Sequence, residues 1–371
     1  MPNWERTRSF FPVTRKLVYL DHAGGGPIST RVDEAQREWS HRQLHYGSFD
    51  AAGYEEEIAR VRNRVALLLG VTSREISFVG STGQGLGLVA TGLSWRRSDA
   101  VVTTDRAHPT TLYPWLALSH LGVEVQRLRT LDGRIDLDEL ARRLESPRVR
   151  VVCIASVDYL TGARHDLHAI GTLCAERGVL FCVDAIQSLG CLPLDPEACG
   201  IDFLAAGGQK WLLAGPGTGI FYCADRVRTR LTPRVVGWRS VQEPSSLERE
   251  QSTLRSDGRR FEPGIPDSAA AYRLGAAVDL ILELGIDAIA ERVTSLRAQL
   301  EQGLATRGIE RQAGERSPGI VSFSLPHETA TETWKRLRSQ HIHVASRGDS
   351  LRVSPHFYND ADEIDRLLAA L

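Results

Sequence analysis

The 371-residue chain carries 45 basic residues, of which only Lys16, Lys210 and Lys335 are lysine; the other 42 are arginine. Where arginine is the default cation, a retained lysine points to chemistry that a guanidinium cannot perform. Lys16 and Lys335 fall in polar stretches and read as solvated charges. Lys210 is different. It sits within Ala205–Gly217, between an apolar run and a glycine-rich turn, where a charge is expensive unless it is paired or chemically used. Desolvation lowers an amine's pKa toward nucleophilicity, and an amine, unlike a guanidinium, forms Schiff bases.

Four other features carry chemistry. Gly80–Gly85 (Gly-Ser-Thr-Gly-Gln-Gly) lies between a strand-like run and a helical one. Backbone N–H groups and a helix dipole at such a junction suit an anion, ideally a phosphate. It is neither the dinucleotide fingerprint nor a lysine-bearing phosphate loop, and taken alone it also reads as a plain turn. Asp184 ends the apolar run Val179–Asp184, with Gln187 three residues on. A carboxylate at the C-terminal end of a parallel strand lies where open sheets bind ligands, although aspartate there also reads as a helix cap. His108, fixed ahead of Pro109, could stack on a flat ring or be an ordinary loop histidine. Arg352 alternates with Leu351 and Val353, which suits either a bidentate carboxylate clamp or a salt bridge. A lysine, an aspartate for a pyridinium nitrogen, a phosphate cradle, a ring-stacking group and a carboxylate-binding arginine together match one cofactor, pyridoxal 5′-phosphate.

Such groups need a scaffold. From about 55 to 225 the chain alternates helical and strand patterns. Tyr54–Leu69 places Ile58, Val61, Val65 and Leu68 at helical spacing and stops at Gly70. Short β-rich runs follow at Glu75–Val79, Ala100–Thr104, Val123–Leu128, Val149–Ala155, Leu180–Val183, Phe203–Ala206 and Gly219–Tyr222, with helical stretches such as Leu137–Leu144 and Leu167–Arg177 between them. This alternation predicts an α/β fold with a mostly parallel, doubly wound sheet. Beyond 226 the texture changes. Arg226–Gly258 is polar and irregular, its Gln242–Ser252 part reading as a mobile surface loop. Helices over Asp267–Leu284 and Ile286–Thr306, strands at Ile320–Ser324, His343–Ala345 and Leu351–Val353, and a last helix over Asp360–Leu371 predict a smaller α+β domain. The expected division is a large domain over 15–255, a small one over 256–371, and an N-terminal arm over 1–14.

Composition narrows the function classes. A net charge of −1 leaves no basic excess for nucleic acid, and no apolar run reaches the ~18–20 residues of a membrane span. The N-terminus lacks signal-peptide character. Six cysteines at no metal-ligand spacing predict reduced thiols, a cytoplasmic location and no metal site.

The order and wording of these parts resemble the class V aminotransferase family of pyridoxal-phosphate enzymes, which includes cysteine desulfurases, selenocysteine lyases, kynureninases and isopenicillin-epimerase-like proteins. The matching stretches are Tyr19-Leu-Asp-His-Ala-Gly, Ser81-Thr-Gly-Gln-Gly-Leu-Gly-Leu-Val-Ala, Val183-Asp-Ala-Ile-Gln-Ser-Leu-Gly, Asp202-Phe, Gly208-Gln-Lys-Trp, Gly215-Pro-Gly-Thr-Gly, Arg260-Phe-Glu-Pro-Gly and Leu351-Arg-Val-Ser-Pro-His-Phe-Tyr-Asn. The resemblance implies fold type I. It implies that Lys210 holds the cofactor and moves the Cα proton, that Asp184 pairs with the pyridine nitrogen, and that Gln187 bonds the ring oxygen. His108 would stack on the ring. Thr82, Gly83 and Gln209 would bind the phosphate, and Arg352 the substrate carboxylate. Asp158, or its neighbour Tyr159, falls where the family places a polar ring contact. The Phe261–Ile265 loop would reach a partner's phosphate site, which implies a homodimer.

Departures from the family pattern matter as much. Gly83 and Gln209 stand where many relatives carry Thr and His, and Ile265 where relatives have a phosphate-binding Thr. Desulfurases carry a persulfide-forming cysteine shortly before the carboxylate-binding arginine; here the last cysteine is Cys223, so thiolate attack has no nucleophile there. The expected function is action on a small α-amino acid that displaces Lys210 to form an external aldimine, as a β-eliminating (C–S) lyase or an aminotransferase. A kynureninase-like hydrolase or an epimerase is the alternative. A non-catalytic cofactor binder is disfavoured, since Lys210, Asp184 and Arg352 are all present. The substrate determinants are expected around His41–Tyr46, in Trp238–Ser252 and on the partner chain.

Overall fold

The computed structural model describes residues 2–131, 133–243, 253–312 and 319–371. From residue 244 on, the loop expected over Gln242–Ser252 lies outside the described residues. The main sheet has seven strands: β1 (Ile76–Phe78), β2 (Ala100–Thr104), β3 (Glu124–Leu128), β4 (Val149–Ala155), β5 (Leu180–Asp184), β6 (Phe203–Gly207) and β7 (Gly219–Cys223). Their order is β1-β7-β6-β5-β4-β2-β3. The strands β2 to β6 are parallel, whereas β7 runs antiparallel to both β1 and β6. Every residue of β5 and β6 is buried, which is why both read as unbroken apolar runs rather than alternating ones.

Winding direction reverses beside β2, because the chain passes to β3 on one side and then to β4 on the other. Loops leaving strands on either side of such a reversal separate, and a crevice opens at their C-terminal ends. Two glycines seat the elements around it. A Cβ on Gly85 would lie 2.7 Å from Ala205 Cβ, so helix Thr82–Gly92 rests directly on β6. A Cβ on Gly208 would lie 2.1 Å from Thr218 Oγ1, so the turn before Lys210 packs against the chain entering β7.

A second, smaller hydrophobic core gathers Leu296, Leu300, Val321, Phe323, Leu351 and Leu367, joined by Val18 and Leu20 from the far end of the chain. The two cores therefore do not divide the sequence at one point. Helix Ser268–Leu284, expected in the small domain, packs on helices Thr30–Tyr46 and Ala51–Leu69 and belongs to the large core. The strand expected at His343–Ala345 is two pieces. Ile342–His343 pairs parallel with Val18–Tyr19, while Ala345–Arg347 forms a hairpin with Ser350–Val353. Helix Thr30–Tyr46 has no sequence signature, because Val32 is its one buried residue and no apolar stripe betrays it.

Candidate active site

A cavity of about 430 Å³ opens in the crevice, at the C-terminal ends of β2, β4, β5 and β6. Of the expected site residues, Thr82, Gly83, His108, Asp184, Gln187, Gln209, Lys210 and Arg352 all line it; Asp158 does not.

Asp184 ends β5 beneath the cavity. Its Oδ2 accepts from Thr111 Oγ1 at 2.7 Å and its Oδ1 from Ile186 N at 3.0 Å, so it caps its own turn and faces the site at once. Burial pushes its carboxyl above the usual range, while those two bonds and the Lys210 charge pull the other way. Lys210 follows β6 by three residues. Burial lowers its ammonium to about 8; Asp184 opposes this and Arg352 reinforces it. Lys16 and Lys335 are exposed.

Ser81 Oγ accepts from Gln84 N at 3.2 Å and caps helix Thr82–Gly92, whose first N–H groups have no partner within the helix. Thr82 Oγ1 accepts from Gly207 N at 2.8 Å, which ties this N-terminus to β6. His108 follows β2. Its Nδ1 accepts from Thr110 N at 3.2 Å, leaving the ring proton on Nε2, and its ring meets Tyr159 edge-on at 5.0 Å. Burial first, then the Lys210 charge, holds it below the usual histidine range. Gln187 is held at both ends: Oε1 accepts from Trp211 Nε1 at 2.9 Å and Nε2 donates to Ala23 O at 3.1 Å. Its amide orientation is thereby fixed, with the second Nε2 hydrogen left over.

Arg352 is buried in strand Ser350–Val353. Its Nη2 donates to Asp21 Oδ1 at 3.0 Å and its Nη1 to Tyr159 O at 2.9 Å, while Nε is buried without a partner among the described residues. It therefore forms a salt bridge, and Nη1 and Nη2 each keep a second hydrogen. Of the expected pair Asp158 and Tyr159, Asp158 lies outside the cavity lining. Its Oδ1 accepts from Leu160 N, Thr161 N and Thr161 Oγ1 at 3.0, 2.7 and 2.8 Å. It caps its own turn, and Tyr159 supplies the cavity wall instead.

Asp21, Thr111, Trp211 and Arg347 also belong to the site or its supports. Asp21 and Trp211 stand inside quoted motifs, and Thr111 is one helical turn beyond His108; Arg347, which also lines the cavity, carried no signal of its own. Neither His41–Tyr46 nor Trp238–Gln242 lines this cavity.

The family model for class-V aminotransferases matches residues 18–367. The chain belongs to the class-V aminotransferase family. It is 29% identical over 365 residues to an uncharacterized aminotransferase of Bacillus subtilis, covering 97% of this chain and 95% of that one. It is 28% identical to a probable cysteine desulfurase of Methanothermobacter thermautotrophicus, over 98% and 96% of the two chains. The apo structure of a cysteine desulfurase from Thermococcus onnurineus superposes with a TM-score of 0.90 at 25% identity, covering 100% of this chain and 97% of that one. The fold is type I of the pyridoxal-phosphate enzymes, and this class-V aminotransferase relative is an enzyme whose cofactor is pyridoxal 5′-phosphate. The cavity fits that group. It offers an amine with a lowered pKa, a buried carboxylate and a helix N-terminus. Space remains at Gly83, where a Cβ would meet Thr110 Cγ2 no closer than 3.5 Å. Among the described residues no helix is long and apolar enough to cross a membrane.

Proposed function

We propose that this enzyme acts on small α-amino acids by removing the Cα proton. It then either eliminates a β-substituent, above all across a C–S bond, or passes the amino group to a keto acid, and it forms no enzyme persulfide. One observation carries the exclusion. Cys153, Cys174, Cys182, Cys191 and Cys223 are buried, Cys199 is half-buried, and none lines the cavity. Burial pushes Cys174 and Cys223 up to about 12, so these thiols are poor nucleophiles. The positions of these thiols support a reading in which the desulfurase activity named for several relatives does not extend to this chain.

Lys210 would hold the cofactor and, once the substrate amine displaces it, take the Cα proton. An amine lowered to about 8 is available as a neutral base near neutrality. When bound, the cofactor supplies an electron sink for the pair released at Cα. Asp184 would pair with the ring nitrogen and the free Nε2 hydrogen of Gln187 would meet the ring oxygen. His108 would cover a ring face, with Tyr159 beside it in place of Asp158. The Thr82 and Gly83 N–H groups and Gln209 would take the phosphate, and Arg352 the substrate carboxylate.

A homodimer is part of the same reading. Phe261 and Glu262 are anchored inside their own subunit, Glu262 pairing with Arg62 at 2.6 Å. Ile265 is 64% exposed, as are Val235, Val236 and Trp238 by half or more. Gly264 and Ile265 line a groove with Gly80 and Gln84, beside the Ser81–Gly83 cradle.

Single-turnover spectra of the holoenzyme with alanine, cysteine, cystine, S-conjugates and kynurenine test the reaction. An aminated cofactor that a keto acid resets means amino transfer; an unchanged cofactor with keto acid and ammonia released means elimination. Sulfane sulfur left on the protein after cysteine would overturn the proposal.

A further inference from the structure

Resting on that amino-acid reading, we propose that Arg347 makes the site selective for amino acids whose side chain ends in a second anionic group, a carboxylate or an oxidised sulfur acid. Strand Ala345–Arg347 turns back into Ser350–Val353 through Gly348 and Asp349, with Gly348 at a φ of +58° that favours glycine. In this hairpin Ala345 faces Arg352 across the ladder, and Arg347 lies two residues along the same strand. Side chains two apart share a face, so Arg347 and Arg352 project from one face of the hairpin as diagonal neighbours. Both line the cavity.

Charge counting gives the second guanidinium its meaning. Apart from the residues assigned to the cofactor, the cavity walls carry two cations, Arg347 and Arg352. Asp184 is assigned to the cofactor ring, and Arg352, which already meets Asp21, to the α-carboxylate. Arg347 is exposed and donates to Ser346 O at 3.0 Å; no ion pair to it is present among the described residues. A side-chain anion meets this cation by a charge-assisted bond, which a neutral side chain does not form. Among the described residues no further carboxylate lines the cavity to compete.

The test compares isosteric pairs on the holoenzyme, aspartate with asparagine and glutamate with glutamine, with cysteine sulfinate and alanine added. The wild type is expected to favour the acidic member in kcat/KM by about 30-fold, the scale of one charge-assisted bond. Arg347→Gln lowers that ratio about 30-fold through KM, and Arg347→Glu inverts it. Maleate, followed by its perturbation of cofactor absorbance, binds the wild type and is lost from Arg347→Gln. Equal use of acidic and neutral members by the wild type, or a ratio unchanged in Arg347→Gln, overturns the proposal and leaves the amino-acid reading standing. A holoenzyme whose spectrum responds to no amino acid overturns both.

Discussion

The floor of the site and its rim are built differently. The floor carries Asp184, Gln187, Thr82 and Lys210 at the ends of buried parallel strands or on elements packed against them, with Asp184, Gln187 and Thr82 tied to backbone or to buried partners such as Thr111 and Trp211. The rim is assembled from the hairpin of the smaller core and an N-terminal segment; the Asp21–Arg352 pair joins residues 331 positions apart. A floor locked into the sheet core preserves one chemistry, because few substitutions there leave the packing intact. A rim carried on a short hairpin accepts new side chains without disturbing that core, so substrate choice can change there.

The sharpest way to break the contrast is at Lys210. Lys210→Ala should lower turnover by about 10⁴-fold or more and remove the lysine-linked absorption band; rates and spectra together check it. A stability measurement on cofactor-free protein comes next. The folded Lys210 titrates near 8 against 10.5 when free. Between those values the unfolded chain holds more protons, so stability rises with pH across that window and the cost of the buried charge is full below it. Lys210→Met should accordingly exceed wild type by about 3 kcal/mol at pH 7, with the gap closing toward pH 10.5, as read by urea unfolding. At the rim, Arg352→Gln should raise KM by about 30- to 100-fold with cofactor binding retained, on the scale of a lost charge-assisted pair. Loss of the cofactor from that variant would mean floor and rim are not separable. The smallest effect concerns thiols: iodoacetamide on the native holoenzyme should change activity by less than about twofold, because no accessible thiolate takes part.

Much of the floor was legible because its signals are local. Lys210 stands out against arginine, Asp184 closes an apolar strand, and strands such as Val149–Ala155 match their predicted bounds. Where a neighbour from another element decides, sequence was silent. Asp158 and Tyr159 are adjacent, and only the turn geometry sends one into its own cap and the other into the cavity wall. Thr111 and Asp21 owe their roles to tertiary partners. Arg347 is one arginine among many until the hairpin register sets it beside Arg352. Helix Thr30–Tyr46 is held by contacts such as Trp39 Nε1 to Ser268 Oγ at 2.9 Å, which no periodicity announces.

The central claim is that Lys210 carries the cofactor, and a chain with three lysines allows an unambiguous test. Borohydride reduction of the holoenzyme, followed by proteolysis and mass spectrometry, should place a single pyridoxyl group on Lys210. A pyridoxyl group on Lys16 or Lys335, or none on any lysine, would contradict the account.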